Sequence, residues 1–133
     1  MFRTLDDDIS VAGQIGQEDV AEAARQGFAV IVNNRPEGEQ PGQPTGDEIA
    51  AAAAAAGLGY VAIPITHAGF TRQQVDQMGA ALAAAPGPVL AFCRSGTRST
   101  FVWALARMAA GDDPAVLRAK AEAAGYDISP VLR

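Results

Sequence analysis

A chain of 133 residues is long enough to bury about two-thirds of its unfolded surface around one core, and a formal charge of -5 with a pI of about 4.7 argues against non-specific attachment to nucleic acid or anionic lipid, which need a basic face. One cysteine and one histidine exclude an internal disulfide and a four-ligand zinc site. The reading is a single cytoplasmic domain over 1–133, kept in a reducing compartment and needing no metal or cofactor, with a small-molecule or protein substrate.

The opening "MFRTLDDDIS" sets three aspartates where a secretory leader has its apolar core, so it is not read as a targeting segment. Asp6, Asp7 and Asp8 read as a solvated terminus. "ISVAGQ" (Ile9 to Gln14) alternates weakly and predicts a short edge strand. "QEDVAEAARQGF" predicts a helix with Val20, Ala23 and Ala24 on one face and Gly27 at its end. "FAVIVNN" is a continuous apolar run of the kind that becomes a strand covered on both faces.

Residues Asn34 to Pro44, rich in Pro, Gly and charge, predict a surface loop. Thr45 and Glu48 have capping-box spacing and start a helix that the alanine run Ala50 to Ala56 carries to Gly57. "GYVAIPI" predicts the next strand and "THAGF" (Thr66 to Phe70) the loop after it. Thr71 and Gln74 repeat the capping pattern, and Val75, Met78 and Leu82 follow helical spacing to about Ala85. "GPVLAF" predicts another strand, followed by a helix from about Arg98 to Gly111. Asp113 and Pro114 form a cap and first-turn pair for a last helix to about Ala124. No internal repeat or linker divides the chain.

Strands alternating with helices imply an α/β fold, with a central, mostly parallel sheet of four to five strands flanked by helices. Ligands bind beyond the carboxyl ends of such strands. The loops at 34–44, 66–70 and 93–98 all follow strands, so they share that edge.

The last of these is "CRSGTRS". A thiol becomes a nucleophile on ionising, which nearby cations or a helix N-terminus favour. Cys93 is offered both: Arg94, Ser95, Gly96 and Thr97 pass straight into a helix whose free amides can hold an anion, and Arg98 can reach back as a forked donor. Gly96 allows a sharp bend, and Ser99 is placed to give the sulfur a hydroxyl hydrogen bond. The plainer alternative is a cysteine that is simply core. Trp103, Phe101 and Met108 read as helix core.

These features carry a family resemblance. With its cysteine loop late in the chain, "CRSGTRS" feeding "TFVWALARM" resembles the dual-specificity branch of the protein tyrosine phosphatase superfamily. More closely, from "ISVAGQIGQEDV" through "GFAVIVNNRPEGEQ" to about Gly125, the chain is similar to the bacterial phosphatase-like domain of beta-lactamase-hydrolase-like proteins. A tyrosine-phosphatase-like fold is implied. Low-molecular-weight tyrosine phosphatases fit poorly, since their cysteine loop lies near the N-terminus.

Two departures shape the functional expectation. The phosphatase signature is His-Cys-x5-Arg, whereas here Phe92 precedes Cys93 and Cys93 to Arg98 is Cys-x4-Arg. The shorter loop looks like the active loop of rhodaneses, which carry sulfane sulfur on the cysteine. The resemblance also implies an acidic aspartate on the loop that here reads "THAGF", which has no carboxylate. His67 is a candidate acid, with a loop histidine making one hydrogen bond as the alternative. Arg35 and Glu37 mark a possible site edge, although a solvated charged loop is the plainer reading.

The first expectation is therefore transfer of sulfane sulfur through a Cys93 persulfide, from a small anionic donor to a thiol acceptor or protein partner. The second is a phosphatase acting on a phosphoester through a cysteinyl-phosphate at Cys93. The third is a non-catalytic module that binds an anion or a phosphoprotein.

Overall fold

The computed structural model describes residues 2–132. Its elements run β1 (Arg3–Asp6), β2 (Ile9–Ala12), α1 (Gln17–Arg25), β3 (Val30–Asn33), α2 (Gly46–Ala55), β4 (Gly59–Ala62), α3 (Arg72–Ala84), β5 (Val89–Phe92), α4 (Thr97–Ala109), α5 (Pro114–Ala123) and a terminal 3-10 turn (Ser129–Val131). The five strands form one sheet in the order β1-β2-β5-β3-β4, in which only β1 and β2 pair antiparallel. The fold is a mostly parallel sheet flanked by helices, as the strand and helix alternation implies.

Local sequence explains most of these boundaries. Thr71 accepts from the Gln74 amide at 3.1 Å while the Gln74 side chain accepts from the Thr71 amide at 2.9 Å, completing the expected capping box. Asp113 caps α5 through the Ala115 amide at 2.9 Å, with Pro114 in the first turn. At α2 only half of the expected box forms. Thr45 accepts from the Glu48 amide at 3.1 Å, but the Glu48 carboxylate makes no return bond to the Thr45 amide among the described residues; the next amide, of Gly46, is taken by Glu37 at 2.9 and 3.0 Å.

The N-terminus departs from expectation. Residues 3–6 form a strand, so β2 is an inner strand and β1 takes the edge. Asp6 is not merely solvated: it ends β1 and accepts from Lys120 Nζ at 3.1 Å, tying the hairpin to α5. Thr4 pairs with Ser10 across the hairpin, an opposition that the polar stretch "RTLD" does not announce by hydrophobic alternation.

Side chains of the central strands alternate between two cores. Ile31, Leu90 and Phe92 pack with Val20, Ala23, Ile49 and Ala53 beneath α1 and α2. Val11, Val32 and Ala91 pack with Met78, Val102, Trp103 and Leu117 beneath α3, α4 and α5. The apolar run of β5 is thus buried on both faces. Ala12, Phe92 and Asn33 stand in register at the carboxyl ends of β2, β5 and β3, so Gly13, Cys93 and Asn34 leave the sheet side by side.

Candidate active site at the end of the central strand

Cys93 sits at the exit of β5, the middle strand, and is 1% exposed. The Gly96 amide donates to its sulfur at 3.1 Å. Gly96 is the N-cap of α4 at φ 90, in the left-handed region that glycine adopts without a Cβ penalty. That turn brings the sulfur to the N-terminus of α4. The amides of Arg94, Ser95, Thr97, Arg98 and Ser99 have no hydrogen-bond acceptor among the described residues. Thr97, Arg98 and Ser99 are the first three residues of α4, whose amides point out of the helix end and favour an anion.

The loop is supported from several sides. Gln14 N donates to the Arg94 carbonyl at 3.3 Å, and Gly13 lies so close that an added Cβ would stand 3.0 Å from the same oxygen. Thr100 Oγ1 donates to the Gly96 carbonyl at 2.8 Å, and Tyr126 Oη donates to the Ser95 carbonyl at 3.0 Å. Arg3 lies over the Tyr126 ring, 5.4 Å from its centroid. Burial pushes the Tyr126 phenol up, opposed by Arg3 and reinforced by negative charge on Cys93.

Arg98 turns inward, but its fork is taken by Glu39. Its Nη1 and Nη2 donate to Glu39 Oε2 and Oε1, both at 2.8 Å, and Nη1 also donates to the Ile65 carbonyl at 2.6 Å. Glu39 raises the Arg98 guanidinium further above its ordinary range, partial burial opposes this, and a charged Cys93 adds to the rise. In return Arg98, against the cost of burial and with help from Arg35, holds the Glu39 carboxyl at about 2.

Arg35 overturns the reading of a solvated loop. It is 4% exposed, and its Nε, Nη1 and Nη2 donate to Glu39 at 2.9 Å, Gln14 at 3.0 Å and Gln40 at 3.1 Å. Glu37 accepts from the Gly46 amide in the first turn of α2 and is not part of this cluster. Ser99 also departs from expectation: it is fully buried, but its hydroxyl has no partner among the described residues, Cys93 Sγ included, and the sulfur takes the Gly96 amide instead. Arg94 and Ser95 are exposed, with Ser95 Oγ 3.1 Å from Thr97 Oγ1. His67 is exposed and makes no hydrogen bond among the described residues. The residue just before its loop, Ile65, accepts from Arg98 Nη1 through its carbonyl.

Residues 1–111 match the family described as the phosphatase-like domain of beta-lactamase hydrolase-like proteins. The chain belongs to that family. It is 34% identical over 122 residues to a beta-lactamase hydrolase-like protein of Xylella fastidiosa, covering 92% of this chain and 28% of the relative. It is 37% identical over 101 residues to one from Agrobacterium fabrum, covering 76% and 23% respectively. The chain thus spans about a quarter of the length of these curated relatives.

Among solved structures, a Neisseria meningitidis protein provisionally described as a phosphatase superposes with a TM-score of 0.84 at 29% identity, over 96% of this chain and 91% of that one. P. aeruginosa TpbA, solved in complex with pTyr, superposes with a TM-score of 0.67 at 18% identity, over 94% and 72%. This second likeness bears on the fold alone. The family supports a phosphatase-like reading, the second of the sequence expectations, better than sulfur transfer.

Proposed function

We propose that Cys93 is the nucleophile of a phosphatase that opens small phosphomonoesters through a covalent intermediate. The observation that carries this reading is the Gly96 amide on the Cys93 sulfur at the N-terminus of α4, whose first three amides have no acceptor among the described residues and whose first turn also carries Arg98. The thiolate attacks phosphorus, an S–P bond forms, and the P–O bond to the leaving group breaks with its electron pair on oxygen. Water then attacks phosphorus, returning the thiolate and releasing inorganic phosphate. Backbone donors and a guanidinium stabilise the equatorial oxygens during both steps. The pTyr bound by TpbA agrees with this class of substrate.

A second reading is favoured by two features of this chain: the Cys-x4-Arg count of the loop, and the lack of a well-placed acid. Glu39, held at about 2 by two arginines, keeps no proton to donate near neutral pH. Sulfane-sulfur transfer has less need of one. The Cys93 thiolate would attack the outer sulfur of thiosulfate, forming an S–S bond and expelling sulfite with the electron pair of the broken S–S bond. A thiolate acceptor would then take the outer sulfur from the persulfide.

The test assays aryl phosphate hydrolysis beside thiosulfate with cyanide, each with wild type and Cys93→Ser, and reads the intact mass after exposure to donor. Phosphate release lost in Cys93→Ser is the expected result. Sulfur transfer and a one-sulfur mass gain, without phosphate release, would replace this reading by the second. Neither activity, with sulfate or phosphate still protecting Cys93 from alkylation, would leave only an anion-binding module.

A further inference from the structure

We propose that Glu39 and Arg35 form a positioning pair for Arg98, in which Glu39 fixes the orientation of the guanidinium and Arg35 cancels the charge that this costs. The proposal rests on the reading of Arg98 as an oxyanion ligand, whichever group Cys93 transfers.

The geometry separates the two edges of Arg98. The Nη1 and Nη2 edge is taken by both oxygens of Glu39 and by the Ile65 carbonyl. Nε has no oxygen acceptor among the described residues, and Nη2 keeps its second hydrogen. A bidentate carboxylate on one edge of a planar guanidinium fixes the plane of the other. Glu39 therefore leaves the Nε edge set for a substrate oxygen, without spending the donors that edge needs.

A carboxylate alone in this place would work against the site. Paired one to one, Glu39 would neutralise Arg98 and repel an incoming oxyanion. Arg35 prevents this by donating Nε to Glu39 Oε1, so two guanidinium charges face one carboxylate and the cluster keeps a single positive charge. Arg35 is itself pinned by Gln14 and Gln40, which bring no charge. Gln14 also reaches the cysteine loop through its amide on Arg94. A buried arginine on an otherwise polar surface loop is thus accounted for by the field at Cys93 as well as by loop packing.

Two variants of this bonded pair move anion binding in opposite directions. Tungstate is the probe, read by its protection of Cys93 from iodoacetamide, with thermal unfolding as a check on the fold. Arg35→Gln removes the compensating charge and weakens tungstate binding roughly tenfold. Glu39→Gln leaves tungstate binding unchanged or tighter, yet lowers kcat about 100-fold because the guanidinium loses its fixed plane. Arg35→Lys restores tungstate binding to near wild type, since charge without the fork suffices for that function.

Loss of tungstate binding in both Glu39→Gln and Arg35→Gln would reduce the pair to loop packing and overturn the proposal. So would an unchanged kcat in Glu39→Gln. If Glu39→Gln does not fold, the Arg35→Gln and Arg35→Lys comparison decides: equal weakening in both overturns the proposal. The tungstate arm needs no turnover, so failure of the phosphatase reading shows separately, as wild-type protein that binds tungstate without releasing phosphate. The kcat arm then uses thiosulfate and cyanide.

Discussion

Tyr126 stands against Gly96: its hydroxyl donates to the neighbouring Ser95 carbonyl at 3.0 Å and fills the space that a Cβ on Gly96 would need. The turn that offers the Gly96 amide to Cys93 is therefore fixed twice, by a positive φ and by a side chain from beyond α5. Gly96→Ala should cost about 1–2 kcal/mol from the backbone alone, with a further cost from the collision, and should abolish turnover. Tyr126→Phe alone should cost about 1 kcal/mol for one lost hydrogen bond. Because the two sites touch, Gly96→Ala should be less destabilising in a Tyr126→Phe background, which a double-mutant cycle of thermal unfolding measures. Strict additivity would show that the hydroxyl does not exclude the methyl group.

What could be read in the sequence follows from how far each signal reaches along the chain. The Thr71 and Gln74 box, the Asp113 and Pro114 start, and the handover from β5 through Gly96 into α4 are written within a few residues, and all three form as expected. The cluster behind Arg98 is not local. Glu39 lies 59 positions away, and Tyr126 reaches Ser95 from 31 positions away. A charge on a Pro- and Gly-rich loop looks the same whether it faces water or a buried partner, so Arg35 was indistinguishable from its exposed neighbour Glu37. The edge strand β1 was hidden for a related reason: its pairing with β2 rests on backbone register and not on an apolar stripe.

The Glu39 carboxyl, held at about 2 against an ordinary 4.5, links folding to pH. Its value is lower in the folded chain than in the unfolded one. Its stabilising share is therefore complete above the unfolded value and is lost as pH falls from about 4.5 toward about 2. The thermal midpoint should drop across that window, and Glu39→Gln should make the drop shallower. The slope will not vanish, because Arg107 lowers Asp112 and Ser129 lowers Asp127 in the same direction. Equal acid slopes for wild type and Glu39→Gln would contradict the ion-paired geometry.

The capping box of α3 offers a test that separates stability from chemistry. Gln74 closes the box and also donates from Nε2 to the Pro64 carbonyl at 3.0 Å, so it anchors the 64–71 segment at both ends. Thr71→Ala removes the acceptor for the Gln74 amide and should cost about 1 kcal/mol. Chemical denaturation should register this loss while kcat/KM stays at the wild-type value, because the one hydrogen bond from Arg98 to this segment among the described residues goes to the Ile65 carbonyl, upstream of the cap. A fall in kcat/KM without loss of stability would instead place the start of α3 among the groups that act on substrate.

His67 is the remaining candidate for an acid, and its surroundings do not equip it for that role. Its loop is closed by its own contacts, Thr66 Oγ1 with the Ala68 amide at 3.2 Å and the Thr66 carbonyl with the Gly69 amide at 3.3 Å, while the imidazole is exposed and unbonded among the described residues. General acids add roughly 10²–10⁴-fold only when held within hydrogen-bond reach of the leaving atom. His67→Ala should therefore change kcat/KM for an aryl phosphate by less than about threefold, far below that range. An aryloxide departs without a proton, so the same geometry predicts poor turnover of alkyl phosphates by the wild type. Comparing a leaving-group series in wild type and His67→Ala measures both effects. A loss confined to poor leaving groups would show that the loop closes over substrate and delivers the imidazole to the departing oxygen.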